Sequence, residues 1–132
     1  MINLESLHFP DLQSFLAWRK AYLQPKLLTD KITAKNADNL LLKQVTRFSL
    51  DPLGFVLYAF DWGRGSLQDQ WPEDWQLQAW ADLSNHLDDG KTRYQAYRSA
   101  KASGHGIGKS AWISITNIAL MATYPGTRDR LP

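Results

Sequence analysis

Ala102-Ser103-Gly104-His105-Gly106-Ile107-Gly108-Lys109-Ser110 reads as a phosphate-binding loop. Glycines at alternate positions (Gly104, Gly106 and Gly108) let the backbone come close to a polyphosphate and turn its N–H groups toward it. In this reading Lys109 sets a point charge on the terminal phosphates, and the Ser110 hydroxyl faces a magnesium ion. Ser103 stands where the strict pattern G-x-x-x-x-G-K-[ST] has its first glycine, so the match is one residue short. The flanks supply the context. Residues 93–102 (RYQAYRSAKA) predict a strand, with Tyr94, Ala96 and Arg98 on one side and Gln95, Tyr97 and Ser99 on the other. Residues 111–122 (AWISITNIALMA) predict a helix, free of Gly and Pro. Strand, glycine loop, helix is the order this chemistry requires, because the helix aims its positive end at the anion. The plain alternative is a flexible Gly-rich turn with an incidental lysine.

Composition sets the bounds around this loop. A chain of 132 residues makes at most one ordinary domain and can bury a core. It is 44% hydrophobic, which excludes a disordered tail. A net charge of +2 does not by itself argue for nucleic acid. There are no cysteines, so disulfides and thiolate metal sites are excluded. Residues 1–13 (MINLESLHFPDLQ) carry acids and no long apolar run, unlike a signal peptide. No apolar stretch reaches the length of a membrane span, and the default location is the cytoplasm.

Working back toward the N-terminus, helix signals dominate. Phe9-Pro10-Asp11 opens a first helix with apolar Leu12, Phe15, Leu16, Trp18, Tyr22 and Leu23, and Pro25 ends it or follows its end. Residues 25–35 are a linker or a frayed helix. Asn36 is placed to cap a second helix over 37–50, where Leu40, Leu41, Val45 and Phe48 share helical spacing. Asp51 as N-cap with Pro52 at the first helical position starts a third. Its residues 53–60 (LGFVLYAF) are apolar on every side, so they belong inside. Residues 62–70 form a Gly-containing loop. Pro72 opens the next helix, with Glu73 and Asp74 suited to its positive end and Trp75, Ala79, Trp80, Leu83 and Leu87 as its stripe. Gly90 closes it, and Tyr124-Pro125-Gly126 breaks the last helix. Six tryptophans are many for this length. Trp71, Trp75 and Trp80 cluster at one helix start, just after Trp62 in Asp61-Trp62-Gly63-Arg64-Gly65. They read as core packing and helix anchors, or as a stacking platform for a base.

Taken in order, residues 50–60 (LDPLGFVLYAF), Trp75-Gln76 and residues 103–110 (SGHGIGKS) resemble the beginning of a tailed-phage terminase large subunit. The resemblance runs from about Leu50 to about Tyr124. The family's ATPase domain drives DNA into the capsid, and its C-terminal nuclease domain cuts the concatemer. A serine at the start of the loop is tolerated there. The resemblance implies that Gln76 pairs with the adenine edge, against the alternative of a surface helix glutamine. It implies that Ser103, Gly104, His105, Gly106, Ile107, Gly108, Lys109 and Ser110 hold the phosphates of ATP. Lys109 then touches the phosphates, and Ser110 touches magnesium. His105 lies in the loop without an assigned chemical role. Residues 1–50 become an N-terminal helical region, and residues 51–132 the start of the ATPase domain.

The departures shape the expected function. A phosphate-loop ATPase needs a second acid at the end of a later apolar strand. The only acid after the loop is Asp129, in Thr127-Arg128-Asp129-Arg130, with no such strand before it. The sequence therefore reads as a truncated terminase. Its expected fold is a helix-rich fragment of an α/β phosphate-loop domain, with about four to five helices and at most one or two strands. A lone strand leaves unpaired edges, and the apolar residues of the last helix surround most of its circumference, so rearrangement or homo-oligomerisation is expected. Three functions follow. The first is a residual ATP- and magnesium-binding module without turnover of its own. The second is a non-enzymatic protein that meets an intact terminase or other packaging components, with DNA a partner only through the family. The third is a non-functional prophage remnant. An active small-molecule kinase is rejected because no acidic partner follows the loop.

Overall fold

The computed structural model describes residues 7–92 and 109–123. The strand predicted over 93–102, residues 103–108 of the loop and the break predicted at Tyr124-Pro125-Gly126 lie outside them. Among the described residues there are five α-helices and no strand: α1 (Leu12–Leu23), α2 (Ala37–Thr46), α3 (Pro52–Ala59), α4 (Asp74–Asp88) and α5 (Lys109–Thr123). This matches the helix-rich expectation.

The shortest helix sits at the centre. α3 packs against α4 and α5, and against α1 on another side; α2 leans on α5. Six consecutive residues of α3, Pro52 to Leu57, are buried, as its all-round apolar sequence requires. Each of Leu53, Phe55, Val56 and Leu57 contributes about 2 kcal/mol by leaving water. Eight residues do not make a stable helix alone, and side chains from elsewhere hold both ends of this one. At its start, the Asp51 carboxylate accepts from the Gly54 N–H at 3.0 Å. Ser84 of α4 accepts from the Leu53 N–H at 3.1 Å and donates to Asp51 at 2.9 Å. At its end, Arg19 of α1 donates to the carbonyls of Leu57 (2.7 Å) and Phe60 (3.2 Å). A cation there also suits the negative end of the helix.

Boundaries differ from the sequence expectations in ways that have local causes. α1 starts as expected, with Asp11 accepting from the Ser14 N–H at 2.8 Å. It runs into one 3-10 turn at Gln24–Lys26 containing Pro25, and residues 27–36 are not helical. That makes the 25–35 segment a linker. Asn36 occupies the N-cap position of α2, but its side chain bonds the Thr33 N–H and the Lys31 carbonyl instead. α2 ends at Thr46 rather than Leu50, because residues 47–50 turn tightly to deliver Asp51. Leu41, counted on its buried stripe, is 55% exposed. Gln44 is buried instead, clipping the linker through the Leu28 N–H (2.7 Å) and the Lys26 carbonyl (3.0 Å). α4 starts two residues after Pro72, with Glu73 as N-cap. Its end is closed by the Asp89 N–H bonding the Asn85 carbonyl, and Gly90 falls beyond that cap.

α5 is fixed to α4 by tryptophan. The Trp80 Nε1–H donates to the Thr116 hydroxyl at 2.8 Å, and that hydroxyl donates to the Trp112 carbonyl at 2.6 Å. The two indoles stack at 6.1 Å with 21° between planes. Trp80 is fully buried and Trp62 nearly so, as the packing reading of the tryptophans expects. The opposite side of α5 carries Ile113, Ile118 and Met121, each more than half exposed. No helix among the described residues is long and apolar enough to cross a membrane.

Candidate functional site

Of the residues assigned to the site, Gln76, Lys109 and Ser110 fall on described backbone. Ser103, Gly104, His105, Gly106, Ile107 and Gly108 lie outside it. Lys109 and Ser110 form the first turn of α5. Here the backbone N–H groups have no intrahelical partners and the helix dipole is positive.

Gln76 lies in the first turn of α4, at the third helical position. Its Oε1 accepts from the Glu73 N–H at 2.9 Å, and the Glu73 side chain bonds the Gln76 N–H in return. This reciprocal capping box satisfies two otherwise orphaned donors. It also fixes which way the amide of Gln76 faces. The Gln76 carbonyl does a second job: it accepts the Trp112 Nε1–H at 3.3 Å. Trp112 is two residues past Ser110. The structure therefore ties the helix that starts at Lys109 to the peptide of Gln76.

Beside the start of α4 lies an open cleft of about 700 Å³, with Phe9, Trp71 and Trp75 among its walls and Asp69, Glu73 and Asp74 at its rim. Trp75 is held by its Nε1–H to the Glu73 carboxylate at 2.7 Å, and His8 bonds Asp74. Aromatic walls suit a planar base, whereas three carboxylates repel a triphosphate. By charge, this cleft does not suit a polyanion. Among the described residues no three His, Cys, Asp or Glu side chains group to hold a metal ion. Compared with known protein families, curated proteins and solved structures, the chain matches none.

Trp112 and Thr116 are the members of this region that sequence reasoning missed. They appeared only as parts of an apolar helix. Their partners, Gln76 and Trp80, lie 36 residues away in sequence, and no local periodicity encodes a bond across that distance.

Proposed function

We propose that the chain is a terminase-type phosphate-loop module that binds magnesium-ATP through residues 103–110, with Gln76 at the adenine. The observation that supports this most directly is the hydrogen bond from Trp112 to the Gln76 carbonyl. It brings the base-reading candidate and the first turn of the post-loop helix into one neighbourhood although they are far apart in sequence. Lys109 and Ser110 supply the ammonium and the hydroxyl that a magnesium polyphosphate takes. The bound ion would neutralise phosphate charge, and the glycine N–H groups would hold the remaining oxygens. Descent from an α/β phosphate-loop domain is part of this proposal, resting on the residue pattern.

Calorimetric titration of the whole chain with magnesium-ATP, beside Lys109→Ala, tests the reading. Saturable binding lost in the variant supports it. Absence of binding by wild-type protein with an intact circular dichroism spectrum overturns it.

The exposed Ile113, Ile118 and Met121 favour a second reading, in which α5 meets another protein such as a terminase component or a second copy. Sedimentation of the chain alone and mixed with packaging proteins separates the two readings.

A further inference from the structure

Arg19 also lines a second cavity. It is a groove of about 530 Å³ between α1 and the loop at 62–64, and Gln76 is not among the described residues that line it. Its walls are apolar: Leu16, Leu23, Leu27 and the Trp62 indole. Three cations also line it, Arg19, Lys20 and Arg64, and no acid does among the described residues. Lys20 and Arg64 are exposed and form no salt bridge among the described residues. Arg19 spends two N–H donors on the Leu57 and Phe60 carbonyls, out of the five a guanidinium carries.

The loop is built to present this arrangement. Gly63 has φ +82°, and an added Cβ would meet both Leu12 methyls at 3.3 Å, so the chain passes close over α1 only as glycine. Arg64 follows directly, its N–H bonded to the Asp61 carbonyl at 3.1 Å. The Trp62 Nε1–H is anchored on the Val56 carbonyl at 3.2 Å, which fixes the indole wall. Burial pulls the Arg19 guanidinium below its ordinary value; Asp61 opposes that shift, and Arg64 adds to it by less.

We propose that this groove binds a drug-sized organic anion: an aromatic or aliphatic body bearing a sulfonate, phosphate or carboxylate. The body would lie along Leu16, Leu23 and Trp62, and the acid group would face Arg19, Lys20 and Arg64. The volume falls in the range of small-molecule sites, and the mix of apolar walls with a few convergent charges is their usual make-up.

Fluorescence titration of the whole chain with anilinonaphthalene sulfonate tests this. One-to-one saturable enhancement is expected in the wild type. Reversing two exposed charges, Lys20→Glu with Arg64→Glu, weakens it by about tenfold. Leu27→Glu, which sets an acid at the partly exposed wall, also weakens it. Lys43→Glu, an exposed residue of α2, and Lys109→Ala leave it within about twofold, which separates the groove from both bulk charge and the phosphate loop. Unchanged affinity in both the double variant and Leu27→Glu overturns the proposal. So does an equal loss in Lys43→Glu.

Discussion

Asp51 receives four donors on its two carboxylate oxygens. Gly54 N–H and Ser84 Oγ–H share Oδ1, while Tyr22 O–H (2.8 Å) and Lys26 Nζ (3.1 Å) share Oδ2. One side chain thus joins α1, the linker, α3 and α4. Asp51→Ala removes a helix cap and leaves Ser84 and Tyr22 short of an acceptor. The expected cost is about 2–4 kcal/mol in urea denaturation, the sum of a lost cap and a stranded buried hydroxyl. Asp51→Asn keeps an acceptor for the cap and costs less. The same contacts predict a pH dependence. Burial first, then the negative charge of Asp51 and the hydrogen bond to it, push the Tyr22 phenol above its ordinary value. The folded chain therefore holds this proton where the unfolded chain releases it. Stability from Tyr22 is fully present below the unfolded value of about 10 and is lost as pH rises above it. Tyr22→Phe should flatten part of the alkaline fall in a melting-temperature profile. A Tyr22→Phe profile falling as steeply as the wild type would refute this assignment.

At the scale of elements, α3 and the α4–α5 pair carry separate predictions. Gly54 is inside a helix, where Ala is ordinarily better by about 0.5–1 kcal/mol. Here an added Cβ would lie 2.5 Å from Asp51 Oδ2 and 2.7 Å from Phe48 Cδ1. The clash outweighs propensity, so Gly54→Ala should destabilise by about 1–3 kcal/mol, measured by denaturant midpoint. Thr116→Val keeps the shape of the side chain but leaves the buried Trp80 Nε1–H without its acceptor. The expected loss is about 1–3 kcal/mol. Helix starts marked by a local side chain were legible in the sequence: Asp11 before α1 and Asp51-Pro52 before α3. So was the burial of α3, because six apolar residues in a row leave no face for water. Helix ends and cap partners were less so. The linker at 27–36 takes the side chains of Asn36 and Gln44, and a claim made from one part of the chain on another leaves no trace in local spacing. For the site, Gln76 at an adenine rests on the family resemblance alone, whereas the capping box Glu73–Gln76 is written in the local sequence. The tether from Trp112 is not.

For the molecule as a whole, the two sides of α5 set opposite expectations. Ala119 and Thr116 are buried, and Trp112 and Ile115 pack against the core. Trp112→Ala should cost about 2–4 kcal/mol and free α5 from α4. Ile113→Ser and Ile118→Lys, on the exposed side, should each shift stability by less than about 1 kcal/mol, while raising the concentration at which the chain stays in solution. Equal losses on both sides, in thermal melts, would mean that α5 is not docked as described. The groove at α1 and the first turn of α5 are built on different elements, so occupancy of one need not report the other. The stacked indoles of Trp80 and Trp112 give the molecule its own optical gauge. Two aromatic transition dipoles at 6.1 Å couple only while α5 lies on α4. Their exciton band in circular dichroism will fade at the moment the post-loop helix detaches, so the event can be followed without a dye, a label or a ligand.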